Sequence, residues 1–227
     1  MRFAYDPYSI SINIDEGDVC VLQIENRKAY VDILSDLYML IEHGEGEAML
    51  FDGENSVDFK KYTDLILEPF SLDLNNKRIK TQLYQNIINI VQDDFYSQYV
   101  DVCNNIQSFI SKITDEVPYS VAFECKFGIE ELLKLCNVAM DYPCDNIAER
   151  LSVYIKLLSG ACKINTFFIV GIERFTSLQE LSEIIKMSRY DKINLVLISA
   201  EKINGLQDEV ITYILDESLC FWKAENA

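Results

Sequence analysis

A short apolar run ending in an acid is the first place in this chain where side chains could do chemistry. Phe167-Phe168-Ile169-Val170 leads into Gly171-Ile172-Glu173. In nucleotide hydrolases built on parallel sheets, a strand of this kind delivers an acid to a magnesium ion. That chemistry also needs glycines whose amides surround the phosphates, a lysine to reach them and a hydroxyl for the metal. The nearest glycine cluster, Gly44-Glu45-Gly46, has no Lys-Ser or Lys-Thr after it and carries glutamates that repel phosphate. Without a cradle, Glu173 reads as a solvated loop residue and the glycine cluster as an acidic turn.

The other reactive types are sparse. His43 is the single histidine, beside Gly44, and no serine or cysteine motif stands ready to pair with it, so it reads as a helix-end residue. Seven cysteines are scattered with no C-x-x-C pair, which argues for buried free thiols and against a zinc cage. Carboxylates are too numerous for any pair to stand out as an acid/base couple. No catalytic centre is visible, and the expectation is a protein that is not an enzyme.

Cations are rare enough to place singly. Against 37 Asp and Glu there are 20 Lys and Arg, for a net charge of −17 and a pI near 4.4. The average field therefore repels nucleic acid, yet charges farther apart than about 8 Å are largely screened at physiological salt, so a local basic face can still act. The clusters are Arg27-Lys28, Lys60-Lys61 and Lys77-Arg78-Lys80, with Lys126, Lys134 and Lys163 further on. Arg27-Lys28 falls in a turn between a strand and a helix, and Lys60-Lys61 just before a strand. If those loops converge at one sheet edge, Arg27, Lys28, Lys60 and Lys61 form a face for phosphates without base readout.

The elements that must position these residues follow from periodicity. At 49% hydrophobic with a mean hydropathy of +0.03, the 227 residues can bury a substantial core. No apolar run approaches the roughly 20 residues of a membrane span, and Met1-Arg2-Phe3-Ala4-Tyr5-Asp6 opens no signal peptide, so a cytoplasmic protein with no membrane partner is expected. Tyr5 to Pro69 reads as half of an α/β sheet, with strands at ISINI, VCVLQIE and EAMLFDG and a helix at AYVDILSDLYMLI. After Asn165 come a buried strand, a helix opened by the capping signature Ser177-x-x-Glu180, and a second strand, INLVLIS, which is the pattern of a parallel crossover. A last strand is read at Leu219–Trp222.

Between these halves the spacing turns helical. From Ile79 through Leu83, Ile87 and Val91 to Ile113 the apolar stripe covers a span that, as one unbroken helix, is about 50 Å long. Its expected partner is a second amphipathic segment, Ile147 to Leu158, capped by Asp145, the two forming a helical hairpin.

The strings LFD, DLILEPFSLDLNN, FTSLQEL and ILDE, in this order and spacing over nearly the whole chain, resemble the small DNA-binding spacer-acquisition proteins of type II-A CRISPR loci. The resemblance implies a discontinuous α/β head related to P-loop ATPases but lacking the phosphate loop (residues 1–72 and 163–227), with an inserted helical leg (residues 73–162). It implies a homotetrameric ring with a positive hole that encircles linear double-stranded DNA at its ends, working with the CRISPR integrase complex and the RNA-guided nuclease. It also implies calcium near the junction of head and leg. Where the best-known members carry alternating acids, this chain has SVAFECKFGIEELL, and Glu124 and Glu131 are the expected ligands of a weak site. Two rival readings are a nucleotide hydrolase with a diverged loop and a protein adaptor that binds no DNA.

Overall fold

The computed structural model describes residues 1–125, 127–206 and 209–224, in two compact units: Met1–Leu74 with Tyr142–Ala227, and Asn75–Asp141. The first unit opens with β1 (Arg2–Tyr5), β2 (Ile10–Asn13), β3 (Val19–Ile24), α1 (Arg27–His43), β4 (Met49–Asp52), β5 (Asn55–Val57), α2 (Phe59–Tyr62) and β6 (Thr63–Ile66). The second holds α3 (Lys77–Asp94), α4 (Tyr96–Asp115) and α5 (Ile129–Leu135). The chain returns to the first with α6 (Ile147–Cys162), β7 (Thr166–Val170), α7 (Leu178–Tyr190), β8 (Asn194–Ser199), β9 (Ile211–Leu215) and β10 (Phe221–Lys223).

The larger sheet has the order β10-β9-β3-β8-β7-β6, parallel except for β10 at its edge. β3, β7 and β8 are buried at every residue, as strands covered on both faces must be. Successive side chains go to opposite faces. Leu22, Ile24, Phe168 and Val196 join a core with Ile33 and Leu37 of α1 and with Phe3, Ile12 and Leu50 of the smaller sheet. The intervening Val21, Phe167 and Leu195 are buried on the other face, where α7 packs. The expected cap of α7 forms in full: Ser177 N donates to Glu180 Oε2 at 2.7 Å and Glu180 N to Ser177 Oγ at 3.2 Å. The Ser177 amide and the Ser177 hydroxyl, both donating to Glu180 Oε2, hold that carboxyl below the usual carboxylate range.

The structure corrects the sequence reading in three places. ISINI and EAMLFDG do not join the parallel sheet. With β1 and β5 they form a separate antiparallel sheet, β2-β1-β4-β5, that covers one face of the larger one. β9, unread in the sequence, lies beside β3 and separates it from the edge strand β10. Third, α6 belongs to the first unit, not to a hairpin with the long stripe. Its buried face (Ala148, Leu151, Tyr154, Ile155, Leu158) packs beside α7, its cap is Asn146 where Asp145 was expected, and Tyr154 Oη bonds Asp64 Oδ2 at 3.1 Å.

In the second unit the long stripe is two helices. The break is at Phe95 (φ −122°, ψ 13°), although Phe95 N still bonds Val91 O and Tyr99 N bonds Phe95 O. Asn76 caps α3, while Asn75 makes two hydrogen bonds with the Met140 backbone, tying the ends of the unit together.

Candidate functional site

In open parallel sheets, ligands bind outside the carboxyl ends of the strands, so the turn from β3 into α1 decides what this edge holds. A phosphate loop spans about eight residues between strand and helix. Here only Glu25 and Asn26 intervene. Asn26 Oδ1 accepts from Lys28 N and Ala29 N, both at 3.0 Å, and Asn26 Nδ2 donates to Glu217 O at 3.0 Å. The first amides of α1 are thus occupied by a side chain, and the neighbouring Glu25 is an exposed acid that repels phosphate. The first unit is an ATPase-like α/β head without its phosphate loop. Asn26→Ala is expected to cost about 1–2 kcal/mol as a lost N-cap and to lower Tm by roughly 2–8 °C, read by calorimetry.

Glu173, on the same edge, is more tied down than its sequence context indicates. Gly171 takes the left-handed conformation (φ 62°) at the end of β7 and turns the chain. Glu173 Oε1 then accepts from Ser199 Oγ of β8 at 2.8 Å, Arg174 Nε lies 4.0 Å from the same oxygen, and Glu173 Oε2 is buried with no hydrogen-bond partner among the described residues. Tyr30 of α1 senses both charges, and burial pushes its hydroxyl pKa up. The acid of a hydrolase-type strand end is present and packed, without a cradle to bring a phosphate to it.

The four cations expected to form one face do not meet at one edge. Arg27 and Lys28 begin α1, at the carboxyl end of β3, and are exposed. Lys60 and Lys61 lie in α2 at the amino end of β6, where Lys60 Nζ donates to Glu42 O near the far end of α1 at 3.1 Å and Lys61 lies 5.4 Å from the Tyr62 ring centroid. The 15 residues from Arg27 to Glu42 place the pairs about 22 Å apart along the helix. Parallel strands separate them, because a strand-to-helix turn and a helix-to-strand turn fall on opposite edges.

Glu124 and Glu131 are both exposed in the second unit. Glu131 Oε2 accepts from Gly128 N at 2.8 Å, at the start of α5. Among the described residues no three His, Cys, Asp or Glu side chains come together as a metal site. Lys126 lies outside the described residues, and Lys163 ends α6 in the left-handed conformation (φ 59°). His43 is indeed at a helix end, in the last turn of α1. The cysteines are free, but only Cys20 is buried, its thiol pushed up to about 12 by desolvation; Cys136 and Cys220 are exposed. Among the described residues no helix is long and apolar enough to cross a membrane.

No curated protein sequence matches the chain. Among solved structures it is similar to Stu0660 of Streptococcus thermophilus, with a TM-score of 0.64 and 11% identity over 99% of this chain and 76% of that one. Looser likenesses are an ATP-binding cassette of an ABC transporter, MJ1267 (TM-score 0.49, 10% identity, 99% and 91% covered), and cbiO1 of Clostridium perfringens (TM-score 0.49, 13% identity, 91% and 76% covered). Residues 41–219 match the family model Cas_Csn2, CRISPR-associated protein. The match runs from the end of α1 through both units to the turn before β10, and with it the chain belongs to the Cas_Csn2 family of type II-A CRISPR-associated proteins.

Proposed function

We propose that this chain is a non-enzymatic, cytoplasmic clamp for linear double-stranded DNA, assembled as a homotetrameric ring that assists spacer acquisition alongside the CRISPR integrase complex and the RNA-guided nuclease. The observation that carries the assembly is α4. This 20-residue helix has an apolar stripe and no buried residue: Val102 is 45% exposed, Phe109 62% and Ile113 50%. A face of that kind marks an interaction surface, and self-assembly covers it while multiplying each small basic cluster. The filled β3–α1 turn supports a role other than nucleotide hydrolysis. Calcium enters this reading as an ion weakly held by Glu124 and Glu131.

The test is retention of one duplex in two forms, linear and covalently closed, with calcium and with chelator, beside the solution mass. A particle of four times the 26.2 kDa chain mass, holding the linear form alone and less firmly in chelator, is the expected result. Equal binding to both forms means an open basic surface and no ring. The same α4 face also favours a protein adaptor, and a chain that ignores both DNA forms decides for that reading.

A further inference from the structure

The third basic cluster, Lys77-Arg78-Lys80, forms the first turn of α3, and that turn contains no acid. Positive charge there is opposed by the helix dipole, so α3 itself gains nothing from it. Lys77 and Lys80 instead border a groove of about 610 Å³ within the second unit, closed on its other side by Lys134 of α5 and also lined by Gln85 and Asn137. Glu130 is there too, but it is 2.7 Å from Lys134 Nζ, four residues on, and that hydrogen bond raises the lysine's pKa and keeps it charged. Tyr84 lines the groove with its hydroxyl already given to Val138 O at 3.0 Å, so it contributes a ring surface. Three ammoniums against one carboxylate, beside two amide side chains, make a locally cationic groove on a chain of net −17.

We propose that this groove between α3 and α5 is a seat for the phosphodiester backbone of the bound duplex, with Lys77, Lys80 and Lys134 on phosphate oxygens and Gln85 and Asn137 on phosphate or sugar oxygens. The inference rests on the DNA reading above and gives the helical unit a direct part in holding the duplex. An anion in the groove also satisfies the α3 dipole and the cations that oppose it.

The test is a full-length Lys77→Gln/Lys80→Gln/Lys134→Gln variant, with the dependence of linear-duplex affinity on salt as readout. Each phosphate contact contributes about 0.9 to the slope of log K against log salt, so the triple variant is expected to flatten it by about 2–3 for each protomer engaged. The triple Lys→Arg variant is expected to keep the wild-type slope, and an unchanged Tm shows that folding is intact. A wild-type slope in the Gln variant, with the wild type binding DNA, overturns the groove alone. A wild type that does not bind duplex overturns the DNA reading beneath it. Inorganic tripolyphosphate that raises the wild-type Tm, but not that of the Gln variant, while the DNA slope stays unchanged, reassigns the groove to a free polyphosphate and overturns the backbone seat.

Discussion

Phe168→Ala is expected to be severely destabilising, by about 3–5 kcal/mol, lowering Tm by roughly 6–20 °C. Phe168 is fully buried in β7, paired with Leu65 of β6 and Val196 of β8. Its ring lies 5.0 Å from that of Phe3 and 5.5 Å from that of Phe59, whose own rings are 6.3 Å apart. These three rings join the smaller sheet, α2 and the larger sheet at one point. A cavity there is bounded by three elements held by their own backbone hydrogen bonds and collapses poorly, so the loss includes packing as well as transfer energy. Urea denaturation with calorimetry measures it, and a loss under 1 kcal/mol would mean that the two sheets do not share this core.

The second large effect concerns DNA. Arg27→Glu/Lys28→Glu and Lys60→Glu/Lys61→Glu are each expected to weaken binding to linear duplex on the order of 100-fold at near-physiological salt, because phosphate neutralisation supplies sequence-independent affinity. The pairs stand at opposite edges of the sheet, with Lys60 bonded near the far end of α1. Effects of sites more than about 10 Å apart without shared partners are close to additive, so the quadruple variant should lose the product of the two. Fluorescence anisotropy across a salt series measures both. One silent pair would show that only the other edge faces DNA, and two silent pairs, with a protein partner retained, would decide for the adaptor.

Much of the head was legible because its signals are local. Phe167–Val170 and Asn194–Ser199 are continuous apolar runs, and such runs are buried strands. The Ser177–Glu180 box closes within one turn of α7, so its three-residue spacing was sufficient evidence. Ile211–Leu215 was missed although it is β-branched and apolar. Its partial burial blurs the run, and its place beside β3 comes from pairing across nearly 200 residues.

The site was less legible. Glu173 and its neighbours fit a solvated loop as well as a packed strand end, and only the position of Ser199 distinguishes them. Asn26 could be recognised as a helix cap, but its second bond, from Nδ2 to Glu217 O, joins residues 191 positions apart and depends on the packing of β9 beside β3. The groove residues Lys77, Lys80 and Lys134 are more than 50 positions apart at the extremes and meet only because α3 packs beside α5.

By itself the sequence determined that the chain folds with an α/β head interrupted by helices, that no phosphate loop is present, and which strings place it in its family. All of these depend on residue type and short-range spacing, which the chain carries wherever it folds. Tertiary structure alone decided that β1, β2, β4 and β5 leave the parallel sheet, that α6 joins the head, and that the basic pairs stand apart while a third cluster lines a groove. Those outcomes are set by which buried faces find each other across long separations, where one amphipathic stripe fits several partners and only the summed packing of the whole molecule selects among them.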